Sequence, residues 1–131
     1  MTGAPPPGPP KVNWPPTRRA GDLLMVSGQL ALDDAGHLVG ANDWARQAEQ
    51  CLRRIEGELA AHGATMDDVV RLNCFLLDAA GYPAYAAARR SLYPRMSPAG
   101  TAVVVAGLLV EGALLEVEAT AWHRESPSPN P

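Results

Sequence analysis

The last regular segment of this chain fixes more of its architecture than any other. Across residues 113–122 the side chains alternate, with Ala113, Leu115, Val117, Ala119 and Ala121 on one side and Leu114, Glu116, Glu118, Thr120 and Trp122 on the other. A period of two is the mark of a strand, because successive side chains leave opposite faces of the pleat. The first face suits burial beneath helices. The second carries two carboxylates beside Leu114 and Trp122, a mixture that fits neither a core nor an ordinary wet surface. A sheet covered on one side only leaves such a face to meet another subunit.

The rest of the chain supplies the cover. Asn42 or Asp43 can cap a helix running to about residue 62, whose apolar residues Trp44, Ala48, Cys51, Leu52, Ile55 and Leu59 form one stripe at helical period. Glu49 and Arg53 pair on its outer face, and Gly63 supplies the left-handed position that stops it. Residues 23–26 form a short apolar run between Gly21-Asp22 and Ser27-Gly28, which reads as a buried strand. Asp33 to Gly36 is a turn cluster, and Thr65 opens a single turn reaching Asp68. Residues 69–77 read as a strand with Val70, Leu72, Cys74 and Leu76 on one face and Val69, Arg71, Asn73, Phe75 and Leu77 on the other. A second helix spans residues 81–93 with Pro83 in its first turn, and a β-branched run over 101–106 gives another strand. The order β, β, helix, β, helix, β, β predicts an α+β fold with both helices on one face of a mixed sheet.

Composition bounds the function classes. The chain has 131 residues, and ten of its 13 prolines lie within residues 5–16 and 127–131. This predicts one folded domain over residues 12–124 between disordered tails at 1–11 and 125–131. The 11 basic residues are scattered and the net charge is −3, so the pairs Arg18-Arg19, Arg53-Arg54 and Arg89-Arg90 read as solvated surface, and no nucleic-acid partner is expected. The chain shows no secretory pattern and no apolar run approaching the ~20 residues of a membrane span, which predicts a cytoplasmic protein with no membrane partner. Cys51 and Cys74 read as buried free thiols. His37, His62 and His123 fall in a turn, at a helix end and in a tail, so neither a metal nor a cofactor is expected.

The ordered set Trp14, Val26-Ser27-Gly28-Gln29, Asp67-Asp68-Val69-Val70, Pro98-Ala99-Gly100-Thr101 and Gly112-Ala113-Leu114-Leu115-Glu116-Val117-Glu118-Ala119 resembles the Rid family (YjgF-like enamine/imine deaminases) over most of residues 12–122. The resemblance implies a chorismate-mutase-like α+β fold. It also implies a homotrimer in which the sheets make a central barrel and small-molecule metabolites bind in clefts between subunits. In family deaminases an arginine after Pro-Ala holds the substrate carboxylate, and a glutamate on the last strand positions or activates water. The glutamate corresponds to Glu116, but the arginine position is Gly100. Trp14 stands where a tyrosine is common, Ala86 where an asparagine is frequent, and the loop before the last strand is one residue longer.

The resemblance therefore implies Glu116 as the catalytic group, with Trp14, Ser27, Gly28, Tyr85, Gly100, Thr101 and Ala102 binding a small nitrogen-containing metabolite. Hydrolysis, tautomerisation or cyclisation of an enamine or imine would use that set, whereas the standard 2-imino acid reaction lacks its clamp unless Arg95 substitutes. A non-catalytic binding or chaperone-like trimer is the alternative, with RNA cleavage behind it. Read from the residues alone, Glu116 and Glu118 also fit structural carboxylates, Ser27-Gly28 fits a strand-ending turn, and Tyr82, Tyr85 and Tyr93 fit helix packing.

Overall fold

The computed structural model of the chain describes residues 13–126. The expected tail at 1–11 lies outside these residues, as does all of the expected tail at 125–131 except Glu125 and Ser126. Five strands form one sheet: β1 (Thr17–Ala20), β2 (Leu23–Gln29), β3 (Val69–Leu76), β4 (Ala99–Val104) and β5 (Leu115–Trp122), in the order β1-β2-β5-β3-β4. All pairings are antiparallel except β3 with β4, so the sheet is mixed, as expected. The helices are α1 (Trp44–Ala60) and α2 (Tyr82–Leu92).

β5 lies at the centre and its alternation is realised residue by residue. Leu115, Val117, Ala119 and Ala121 are buried, while Glu116, Glu118 and Thr120 are half-buried and Trp122 is exposed. Over the buried side lies α1, whose stripe of Ala48, Cys51, Leu52, Ile55 and Leu59 is fully buried against Leu24, Leu72, Val117 and their neighbours. Asp43 caps α1 by accepting from the Arg46 backbone N–H at 3.0 Å, and Gly63 takes φ +79° beyond its end. α2 packs along α1 and overhangs the β3–β4 edge. Both cysteines are buried and free. Burial pushes the Cys74 thiol up to about 12, so it stays protonated and acts as a small apolar side chain.

Three details differ from the sequence expectation. In β3, Val69 is buried and Val70 is 46% exposed, because the register against β5 slips between Val69 and Arg71; this bulge inserts one residue and reverses the faces of its start. The fourth strand spans Ala99–Val104 rather than 101–106, and every residue of it is exposed along the sheet edge. Ala113 and Leu114 lie ahead of β5, between it and a turn at Glu111 and Gly112.

The fourth feature concerns Gln47, polar by type but set on the buried stripe by its i,i+4 spacing from Cys51. Its side chain is fully buried, donating from Nε2 to the carbonyls of Gly40 (3.1 Å) and Gly112 (3.0 Å) and accepting at Oε1 from the Leu114 backbone N–H (2.8 Å). One amide thus ties α1 to the loop before it and to the loop entering β5. Replacing it by leucine keeps the bulk and strands three backbone groups, each of which costs on the order of 1 kcal/mol or more when left unpaired. Q47L is expected to lower the unfolding free energy in urea by about 2–4 kcal/mol. A loss below about 0.5 kcal/mol would show that water reaches these groups instead.

Candidate functional site

β2 meets β5 with Val26 opposite Ala119 and Gln29 opposite Val117, so Ser27 and Gly28 span an interval that Glu118 spans alone. This bulge bends the strand and turns the Gly28 backbone over Glu116. A Cβ built on Gly28 would overlap the Glu116 carboxylate, so only glycine lets that carboxylate lie against the main chain. Ser27 does not bond to Glu116. Its hydroxyl donates to the Pro15 carbonyl (2.9 Å) and its N–H to the Pro16 carbonyl (2.8 Å), pinning the segment that follows Trp14 to the bulge. Trp14 itself is 58% exposed. Three of the expected site residues, Ser27, Gly28 and Glu116, are therefore brought to one place, and Trp14 directly precedes the segment bonded to the bulge.

Glu116 sits in an electrostatic setting suited to proton transfer. Partial burial raises its pKa above the ordinary carboxylate range, and the Glu118 carboxylate beside it pushes the same way. None of the ion pairs among the described residues involves either glutamate. A carboxyl whose ionisation is disfavoured by burial and by a neighbouring carboxylate, and that lacks a neutralising cation, gives up and takes back a proton more readily than a surface carboxylate does.

The other expected residues gather elsewhere. Tyr85, Gly100, Thr101 and Ala102 line a cleft of about 210 Å³ between α2 and β4, together with Leu72, Tyr82, Arg89 and Pro98. Gly100 pairs with Leu72, and a Cβ there would come 3.0 Å from the Leu72 carbonyl oxygen, so the strand approaches closely at this point. Tyr85 is 2% exposed and its hydroxyl has no hydrogen-bond partner among the described residues. Burial drives its pKa far above the usual phenol range, so it stays a donor. Arg95 does not enter this cleft: it is bonded to Asp67 at 3.1 Å in solvent.

The two clusters do not meet within one chain. Glu116 and Gly100 lie two strands and three residues apart, roughly 14 Å at ~4.8 Å per strand and ~3.3 Å per residue. They also fall on opposite faces, since Gly100 shares the helix-covered side with Leu72 and Ala119. Sequence reasoning found both clusters but passed over Arg89, taken only as half of a solvated pair. The signal was its i,i+4 spacing from Tyr85, which puts both on one helix face.

A sequence model of the family described as Endoribonuclease L-PSP matches residues 8–123. The chain belongs to the Rid (YjgF/RutC) family. Among its relatives, a protein of Acinetobacter baylyi named 3-aminoacrylate deaminase RutC is 35% identical over 119 residues, 91% of either chain. The crystal structure of a YjgF/YER057c/UK114 family member from Mycobacterium tuberculosis superposes with a TM-score of 0.71 at 31% identity, covering 82% of this chain and 84% of that one. RidA from the Antarctic bacterium Psychrobacter gives a TM-score of 0.78 at 27% identity, covering 88% and 93%. The Rid fold expected from the sequence is thus the fold observed. Among the described residues, no cluster of three or more His, Cys, Asp or Glu could hold a metal, and no helix is long and apolar enough to cross a membrane.

The raised pKa of Glu116 has a consequence for stability with a definite sign. In acid, folded and unfolded chains are both protonated at this position and nothing is lost. As pH rises through the ordinary carboxylate range the unfolded chain ionises first, and the folded state loses stability relative to it. E116Q is therefore expected to melt at a higher temperature than the parent at neutral pH. The difference should close in acid, and thermal melts at several pH values would check it.

Proposed function

We propose that this chain acts on a small, reactive enamine or imine in a cleft formed between copies of itself, with Glu116 moving the proton. The observation that carries this reading is Glu116 itself, a half-buried carboxyl with a raised pKa, free of cations and laid against a glycine backbone at a strand bulge. The name of the Acinetobacter baylyi relative, a 3-aminoacrylate deaminase, supports an enamine as the substrate class.

The chemistry needs one carboxyl that gives and takes in turn. Protonated Glu116 delivers its proton to the enamine carbon, giving an iminium ion. The carboxylate then takes a proton from water as the water oxygen bonds to the iminium carbon. Returning that proton to nitrogen lets the C–N bond break with release of ammonia. The hydroxyl proton comes back to Glu116 as the carbonyl forms. The sum is enamine plus water to carbonyl compound plus ammonia, with Glu116 regenerated in its starting form.

Two features support an assembly. Leu23, Met25 and Trp122 are 40%, 41% and 53% exposed at one corner of the uncovered sheet face, and β4 is exposed throughout its length. The separation of Glu116 from the Tyr85–Gly100 cleft is the stronger argument, since one ligand can touch both only if the two come from neighbouring chains. A homotrimer, the assembly implied by the Rid resemblance, satisfies this. Gly100 supplies no side chain to hold a carboxylate, which argues against the standard 2-imino acid reaction in its usual form.

E116Q is expected to lower kcat/KM for ammonia release from 3-aminoacrylate by about 10²–10⁴-fold, the range of a lost general acid–base. Unchanged turnover would leave a binding-only trimer as the better reading. Sedimentation equilibrium is expected to give three chains per particle, and a monomer would remove the shared cleft.

A further inference from the structure

The cleft between α2 and β4 holds an unsatisfied pair. Arg89 lies four residues after Tyr85 on α2, with its guanidinium carbon 5.8 Å from the Tyr85 ring centroid. It enters none of the ion pairs among the described residues, although the chain is net acidic. Beside it, the Tyr85 hydroxyl is buried with no partner, a state that costs free energy unless something else supplies an acceptor. No acid lines the cleft, and the Thr101 hydroxyl on its wall already accepts from Arg71 at 3.0 Å. Gly100 leaves open the floor that a side chain at this position would fill.

We propose that Arg89 and Tyr85 together form a binding site for a small carboxylate, Arg89 giving the charge and Tyr85 one neutral hydrogen bond. A planar guanidinium that lies against Tyr85 but has no carboxylate partner among the described residues matches the two oxygens of a carboxylate, and the neighbouring phenol fixes which way the anion lies. The anchor for a negatively charged substrate thus comes from the helix and not from the strand, and glycine at position 100 adds no side chain to the cleft it lines. This rests on the proposed function only in taking the ligand to be the substrate's acid group. The site itself stands or falls on binding.

The test uses the full chain and an unreactive probe, 2-oxobutanoate, with its methyl ester as the uncharged counterpart, titrated against the isotope-labelled protein by NMR. The acid is expected to shift the amides of Gly100 and Thr101, and the ester is not. R89M is expected to weaken binding of the acid at least tenfold, the loss of a charge-assisted hydrogen bond, and Y85F about threefold to tenfold. R89K should keep part of the affinity, and R95M, whose side chain serves Asp67, should bind as the parent does. No binding of the acid by the parent chain, equal binding by R89M, or equal binding of the ester would each overturn the site. E116Q separates the two readings. If it binds the acid normally but turns over no enamine, both readings hold. If the parent binds the acid and E116Q retains full turnover, the anchor stands and the proton-transfer role falls.

Discussion

A five-stranded sheet with two helices on one side has to dispose of its other side. Everything distinctive about this chain follows from how it does so. The covered face is conventional: α1 presents a stripe of small and branched aliphatic side chains, and β5 answers with Leu115, Val117, Ala119 and Ala121. The uncovered face carries carboxylates at its centre and apolar side chains at one corner. Carboxylates cannot be sealed in a dry contact without protonation or a partner, and apolar corners gain by being covered. Both demands are met if the face closes against further copies while leaving solvent-filled spaces near the acids.

The same constraint explains why the chemistry divides into two clusters. β2 and β5 place the acid and the glycine that accommodates it, whereas α2 and β4 place the hydroxyl and guanidinium. These elements sit on opposite sides of β3 and on opposite faces of the sheet. Within one chain the two clusters stand two strands apart on opposite faces, with a layer of packing between sheet and helices on one side of them. Under the proposed function, assembly would be what brings the two clusters to one ligand.

Much of this was legible in the sequence because the informative segments obey one period at a time. β5 alternates without interruption and α1 keeps its stripe for four turns, so faces, partners and the helix-stopping Gly63 could all be assigned. Legibility failed where the period breaks or where a polar residue is turned inward. The bulge at Val70 reverses the start of β3, and no local pattern announces it. Gln47 reads as solvent-facing by residue type, yet it serves three backbone groups from two loops that are distant in sequence. Arg89 was hidden by its neighbour Arg90, since a pair of basic residues looks alike whether both face water or one stands over a cleft.

The contact between Gly28 and Glu116 also constrains how this sequence can change. A methyl group at position 28 cannot coexist with a glutamate at 116 in its present rotamer, but it can coexist with a shorter side chain. Substitutions at the two positions are therefore coupled: an alanine at 28 obliges the Glu116 side chain to turn away from the main chain, and a shorter residue at 116 removes that demand. The bulge thus ties the pose of the acid, rather than its presence, to the glycine.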